Sequence, residues 1–225
     1  MKKPKYLFLG ITFLISFCCA LYVTLLVFPI SSFSQSKAEN GLLEKIQDGD
    51  IIFQTSESSQ CEAVRIATNS KFSHCGIIYV MDGKKFVFEA VQPVKITPLT
   101  DWIKHGRDQK IVVKRLKNAE TVLSPILLKE MKNYGSQFKG KEYDSFFEWS
   151  DERIYCSELV WKIYKNGAGI ELCPLHELKE FNLTDPRVQI ILKERYGDAI
   201  PLEEKVVAPS NLVESDLLKT VVDTY

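Results

Sequence analysis

The sequence predicts an α+β domain with a mainly antiparallel sheet. Two runs rich in β-branched and aromatic residues, 73–80 and 86–91, flank Asp82-Gly83, a dipeptide that strongly favours a two-residue hairpin. Two further runs of this kind are Ile51-Ile52-Phe53 and Ile111-Val112-Val113-Lys114-Arg115. Apolar residues at helical spacing occupy segments of their own, chiefly 124–136 and 157–166.

Composition bounds the function. The chain has 225 residues, 45% apolar and 26% charged, which excludes a disordered or collagen-like chain. Basic and acidic residues are equal at 29 each. Lys2, Lys3 and Lys5 lie at the start and residues 6–36 carry no charge, so the remainder is slightly acidic. That balance argues against a nucleic-acid partner, which calls for a basic patch.

At the N-terminus, the basic Met1–Lys5 precedes an uncharged stretch from Tyr6 to Ile30. As a helix it exceeds a ~30 Å hydrocarbon core and is longer than an ordinary signal-peptide core. Residues 1–30 are therefore expected to be a signal-anchor transmembrane helix, with the domain outside the cytoplasm by the positive-inside rule. A cleaved signal peptide, which would leave a secreted domain, is the alternative. Residues 31–40 are polar and serine-rich and read as a linker, leaving 41–225 as the folded domain.

Within that domain, Asp48-Gly49-Asp50 turns the chain into the first strand, and Ala63, Val64, Ile66 and Ala67 fall at helical spacing. The hairpin follows, then the strand at 111–115. Ser124-Pro125 reads as an N-cap with proline at the first helical position. Leu159, Val160, Ile163 and Tyr164 mark a helix ended by Gly167 and Gly169. Asp185-Pro186 opens a helix closed by Gly197, and 217–222 reads as a last strand.

The residues that can carry chemistry are a thiol and an imidazole. There is no Cys-x-x-Cys, no metal-ligand spacing and no glycine-rich phosphate loop, so no cofactor is expected. Cys156 stands where a turn enters an apolar-periodic helix. There the helix dipole and free N–H groups favour the thiolate. A small buried apolar residue is the other reading of the same position. His74 opens the first hairpin strand. With the turn at Asp82-Gly83, paired residue numbers sum to 165, so Gly76 faces Glu89 and His74 faces Val91. His74 and Glu89 then share one face on a diagonal, where a carboxylate can orient an imidazole. A one-residue bulge would bring Gln92 opposite His74 instead. Alternation points Cys75 away from such a site. His105 reads as a surface residue and His176 as structural, while Cys61 and Cys75 can pair in an oxidising compartment.

At these residues the chain resembles a known family, the permuted papain-fold cysteine amidases of the NlpC type, YiiX-like branch. The matching pieces are Gly49-Asp50-Ile51-Ile52-Phe53, Ser73-His74-Cys75-Gly76-Ile77, Phe88-Glu89-Ala90, Tyr143-Asp144, Tyr155-Cys156-Ser157-Glu158-Leu159-Val160 and Pro209-Ser210-Asn211-Leu212. They occur in the family's order, with the histidine before the cysteine as in permuted members. The resemblance implies a circularly permuted papain-like fold, an antiparallel sheet or small barrel packed against helices. It also implies Cys156 as nucleophile, His74 as base and Glu89 as the third polar residue. Tyr143 and Tyr155 would line the site without an assigned catalytic role. Acyl transfer to water through a thioester is the expected reaction. The expected substrate is a cell-wall peptide amide, or an acyl lipid, since related permuted proteins include the lecithin retinol acyltransferase group. A non-catalytic cell-surface module that binds a peptide or amino acid is the rival class. Selective thiol labelling of Cys156 near neutral pH would separate the two.

Overall fold

The computed structural model describes residues 41–225. The expected membrane helix (1–30) and linker (31–40) lie outside the described residues. Among the described residues no helix is long and apolar enough to cross a membrane. The chain divides into two compact units, 1–45 and 46–225. Of the first, residues 41–44 are seen as a helical turn. The second holds the sheet and all that follows.

That sheet has six strands, in the order β4-β3-β2-β1-β5-β8 with every neighbouring pair antiparallel. They are β1 (Ile51–Gln54), β2 (His74–Met81), β3 (Lys84–Glu89), β4 (Lys95–Pro98), β5 (Val112–Leu116) and β8 (Leu218–Asp223). The sheet is open, with β4 and β8 at its edges. The β2–β3 hairpin has the anticipated register, from Ile77 opposite Phe88 to Met81 opposite Lys84. Asp82 and Gly83 both take positive φ, 49° and 72°, the geometry of a tight hairpin turn. A short ribbon pairs β6 (His176–Glu177) with β7 (Lys205–Val206).

Seven α-helices complete the described domain. They are α1 (Ser59–Ala67), α2 (Leu99–Lys104), α3 (Ala119–Val122), α4 (Pro125–Ser136), α5 (Cys156–Ala168), α6 (Pro186–Tyr196) and α7 (Pro209–Val213). Caps explain their starts. The side chain of Ser58 accepts from Cys61 N, Ser124 from Leu127 N, and Asp185 from Arg187 N. Strand β4 and helices α2 and α7 have no periodic signature in the sequence, because each is too short to show one.

Helix α5 is the central element. Its Leu159, Val160, Ile163 and Tyr164 are buried against one sheet face, where they meet Cys75, Ile77, Tyr79, Phe88 and Ala90. Each such large side chain contributes about 1.5–3 kcal/mol by burial. Gly169 ends the helix with φ of 72°. Gly167, expected beside it as a stop, is instead inside the helix. A Cβ there would lie 2.9 Å from the Met131 Cα of α4, so glycine permits the close approach of the two helices. On the edge of the domain, α1 and α6 pack together through Ala63, Val188 and Leu192.

Candidate active site

Cys156 is the first residue of α5 and is 4% exposed. Several bonds hold the helix start in place. Glu158 Oε2 accepts from Tyr155 N (3.3 Å), Ser157 Oγ donates to Val207 O (2.7 Å), and Tyr155 Oη accepts from Val207 N (3.2 Å). Glu158 is wholly buried, and burial lifts its pKa to about 8 despite Lys162 at 2.8 Å. The Cys156 sulfur is within hydrogen-bonding reach of the Cys75 side chain, the Cys75 backbone N–H and the His74 ring. The bond from the Cys75 thiol is the strongest influence on it. Together with the His74 bond and charge it holds Cys156 well below the ordinary thiol pKa, against the cost of burial.

His74 lies at the start of β2, opposite Gln54, and its Nε2 is 2.6 Å from Glu89 Oε2. That leaves Nδ1 as the ring nitrogen available to the sulfur. Glu89 is saturated. Trp102 Nε1 donates to Oε2 (2.8 Å) and Thr97 Oγ1 to Oε1 (2.5 Å). Trp102 also stacks on the imidazole, with centroids 5.7 Å apart. Gly76 keeps this diagonal open, because a Cβ there would meet Val87 Cγ1 at 2.4 Å. Burial opposes charge on the imidazole, but the bonds and charges of Cys156 and Glu89 outweigh it. They raise the His74 pKa to about 10. Burial likewise opposes charge on Glu89, and its three donors with the His74 charge bring its pKa below the usual value. These shifts favour a thiolate–imidazolium pair backed by a carboxylate.

The structure thus brings Cys156, His74 and Glu89 together. It does not bear out Gln92 as the orienting group, because Gln92 Oε1 accepts from Tyr143 N (2.7 Å). Cys75 is a correction. Alternation does turn it away from the His74 face, but α5 packs on the Cys75 face. The first residue of α5 therefore meets Cys75 there and reaches His74 at the strand end. Cys61, Cys75, Cys156 and Cys173 are all free thiols. His105 is exposed at the end of α2. His176 is half-buried, with its Nδ1 2.8 Å from Glu180 Oε2.

Sequence reasoning missed the supporting residues. Trp102 and Thr97 lie on the unforeseen α2 and β4. Tyr143 Oη accepts from Gln60 Nε2 (3.0 Å), whose Oε1 accepts from Arg195 Nη2 (2.6 Å). This chain joins the loop before α5 to α1 and α6, and no local pattern announces it. The neighbouring Asp144 accepts from Phe146 N and Glu148 N, which shapes the loop carrying Tyr143.

Two open spaces flank the pair. One, of about 570 Å³, lies on the Cys156 side, with apolar walls that include Val64, Phe147, Leu178, Phe181, Val206 and Pro209. The other, of about 940 Å³, lies on the His74 side, where polar side chains alternate with apolar surface. Val64, Ser73 and Tyr143 border both. Among the described residues no group of three or more His, Cys, Asp or Glu side chains is placed to hold a metal ion.

The chain is similar to known proteins. The profile of the family described as "permuted papain-like amidase enzyme, YaeF/YiiX, C92 family" matches residues 45–222. The chain is 47% identical over 179 residues to "Uncharacterized protein YiiX" of Escherichia coli K12, covering 80% of this chain and 87% of that protein. It is also similar to the crystal structure of "metalloprotein yiiX" from Escherichia coli O157:H7. The TM-score is 0.77 and the identity 46%, over 80% of this chain and 99% of that one.

Proposed function

The chain belongs to the permuted papain-like amidases of the YaeF/YiiX family, which are cysteine hydrolases, and from this premise we propose that Cys156, His74 and Glu89 carry the reaction. The observation that supports it most is the Cys156 thiol within reach of an imidazole bonded at 2.6 Å to Glu89.

The Cys156 thiolate attacks the carbonyl carbon of an amide. The oxyanion develops near the start of α5, where the Ser157 N–H has no intrahelical partner. The Tyr143 hydroxyl accepts from Gln60 and keeps its own hydrogen to donate. The His74 imidazolium gives its proton to the departing nitrogen, the C–N bond breaks, and a thioester remains on Cys156. His74, now neutral, takes a proton from water, whose oxygen attacks the thioester and releases the acid and the thiolate. Glu89 orients the ring and stabilises its charged form throughout.

The apolar space beside Cys156 supports a substrate with an apolar acyl part, an acylated amine or an acyl lipid, over a polar peptide on that side. The similar crystal structure is called a metalloprotein, whereas among the described residues of this chain no group of three or more His, Cys, Asp or Glu side chains is placed to hold a metal ion.

The test is iodoacetamide labelling of Cys156 against pH, beside His74→Ala. Rapid labelling well below pH 8 that His74→Ala slows supports an activated pair. An ordinary thiol profile unchanged by His74→Ala defeats it and favours a binding module.

A further inference from the structure

The space on the His74 side has a chemistry of its own. Resting on the reading above, the group that receives the His74 proton is the leaving group, so this space is where it sits. Gln54 is the last residue of β1 and pairs directly with His74, which places its amide on the same face, beside the ring. Gln54 is 1% exposed, and its Oε1 is buried with no hydrogen-bond partner. Gly106 makes room for the amide, since a Cβ there would lie 2.5 Å from Gln54 Oε1.

Charge gives the space a sign. Lys95 pairs with Glu89 across β3 and β4, so its side chain leaves the sheet on the Glu89 face. It is exposed, and no carboxylate pairs with it among the described residues. Glu89, the acid in this lining, is already neutralised by His74 and held by Thr97 and Trp102. Arg195 stands behind the wall on Gln60, also without a carboxylate partner among the described residues. The free charge around the space is therefore positive.

We infer that the His74-side space binds a leaving group bearing an anion, a carboxylate or a phosphate, with Lys95 as counter-ion. The substrate class is then an amide that joins an apolar acyl chain to an anionic amine.

Three octanoyl amides test this: those of glycine, O-phosphoethanolamine and ethanolamine. Their binding to the full chain carrying Cys156→Ala, which prevents turnover, is measured by calorimetry at low and high salt. Cys156→Ser serves if the alanine variant folds poorly. The anionic amides are expected to bind about fivefold tighter than the neutral one, the scale of one partly exposed ion pair. That ratio should shrink in salt and fall to one or below with Lys95→Glu added. The order of glycine and phosphoethanolamine amides then says which anion is preferred. Equal or tighter binding of the ethanolamine amide, no binding of any probe, or a ratio unmoved by Lys95→Glu overturns the inference. Failure of the hydrolase reading shows separately, as equal amide turnover by the unmodified chain and Cys156→Ala.

Discussion

The sheet holds two buried acid–base pairs whose contrast shows what distinguishes a site from a brace. Asp50 and Arg115 form one, with Arg115 Nε donating to Oδ1 (2.7 Å) and Nη2 to Oδ2 (2.8 Å). Gln47 N donates to the same carboxylate (2.7 Å), tying the turn before β1 to β5. His74 and Glu89 form the other. Both pairs are short and nearly hidden from solvent. Burial is the largest influence on both carboxyls and pushes each upward. It prevails at Asp50, whereas at Glu89 the bonds and charge of His74 reverse it. The difference lies in what else each pair touches. The guanidinium always carries its charge and braces two elements. The imidazole can give up a proton, and it has a thiol on one side and an open space on the other. Burial and pairing alone therefore do not mark chemistry. A titratable partner, a nucleophile and access together do.

Four measurements sharpen or break this contrast. Cys156→Ala should lower kcat/KM by about 10³-fold or more, as loss of a nucleophile does. Its thermal midpoint should move little, which separates chemistry from folding. Asp50→Ala should cost about 3–5 kcal/mol in urea unfolding, because it removes the carboxylate that faces the buried Arg115 guanidinium. The folded fraction should keep the labelling profile of Cys156. A shifted profile would mean that the brace also tunes the site.

Glu89→Gln keeps a polar group of the same shape but removes the charge that supports the imidazolium. The pH midpoint of Cys156 labelling should rise by about one unit, roughly a tenfold slower rate on the acid limb of the profile. An unchanged midpoint would place Glu89 with the braces.

The smallest effect is on stability against pH. Between pH 6.5 and 9.0, the ordinary values for imidazole and thiol, the unfolded chain holds its proton on the thiol and the folded chain holds it on His74. The counts match, so this pair leaves stability flat there. Below pH 6.5 the unfolded chain binds an extra proton and stability falls as pH drops. Above pH 9.0 the folded chain retains the extra proton until about pH 10, and stability falls as pH rises. In Cys156→Ala the unfolded chain has no thiol proton to lose at pH 9.0, so no alkaline decline should begin there. Urea unfolding across this range checks it. A decline beginning at the same pH in both proteins would refute the pairing.

The legible parts of the fold were those encoded within a short span. The hairpin register followed from Asp82-Gly83 and alternation, which placed His74 and Glu89 on one face. Ser124-Pro125 and Asp185-Pro186 marked helix starts because capping uses residues three positions apart or fewer. Strand β4 and helix α2 were not legible, being too short to show a period. With them went Trp102 and Thr97, two of the three donors that hold Glu89.

By itself, then, the sequence determined an antiparallel hairpin with an acid beside a histidine, a helix that begins at a cysteine, and the order of these pieces along the chain. Alternation, turn chemistry and capping are local, and their energies are set by neighbouring residues. Only the tertiary structure decided which sheet face α5 covers. That choice put Cys75 against Cys156 and set Tyr143 at the border between the two open spaces. It depends on how side chains from distant segments fill a common volume, and no short stretch of sequence specifies that.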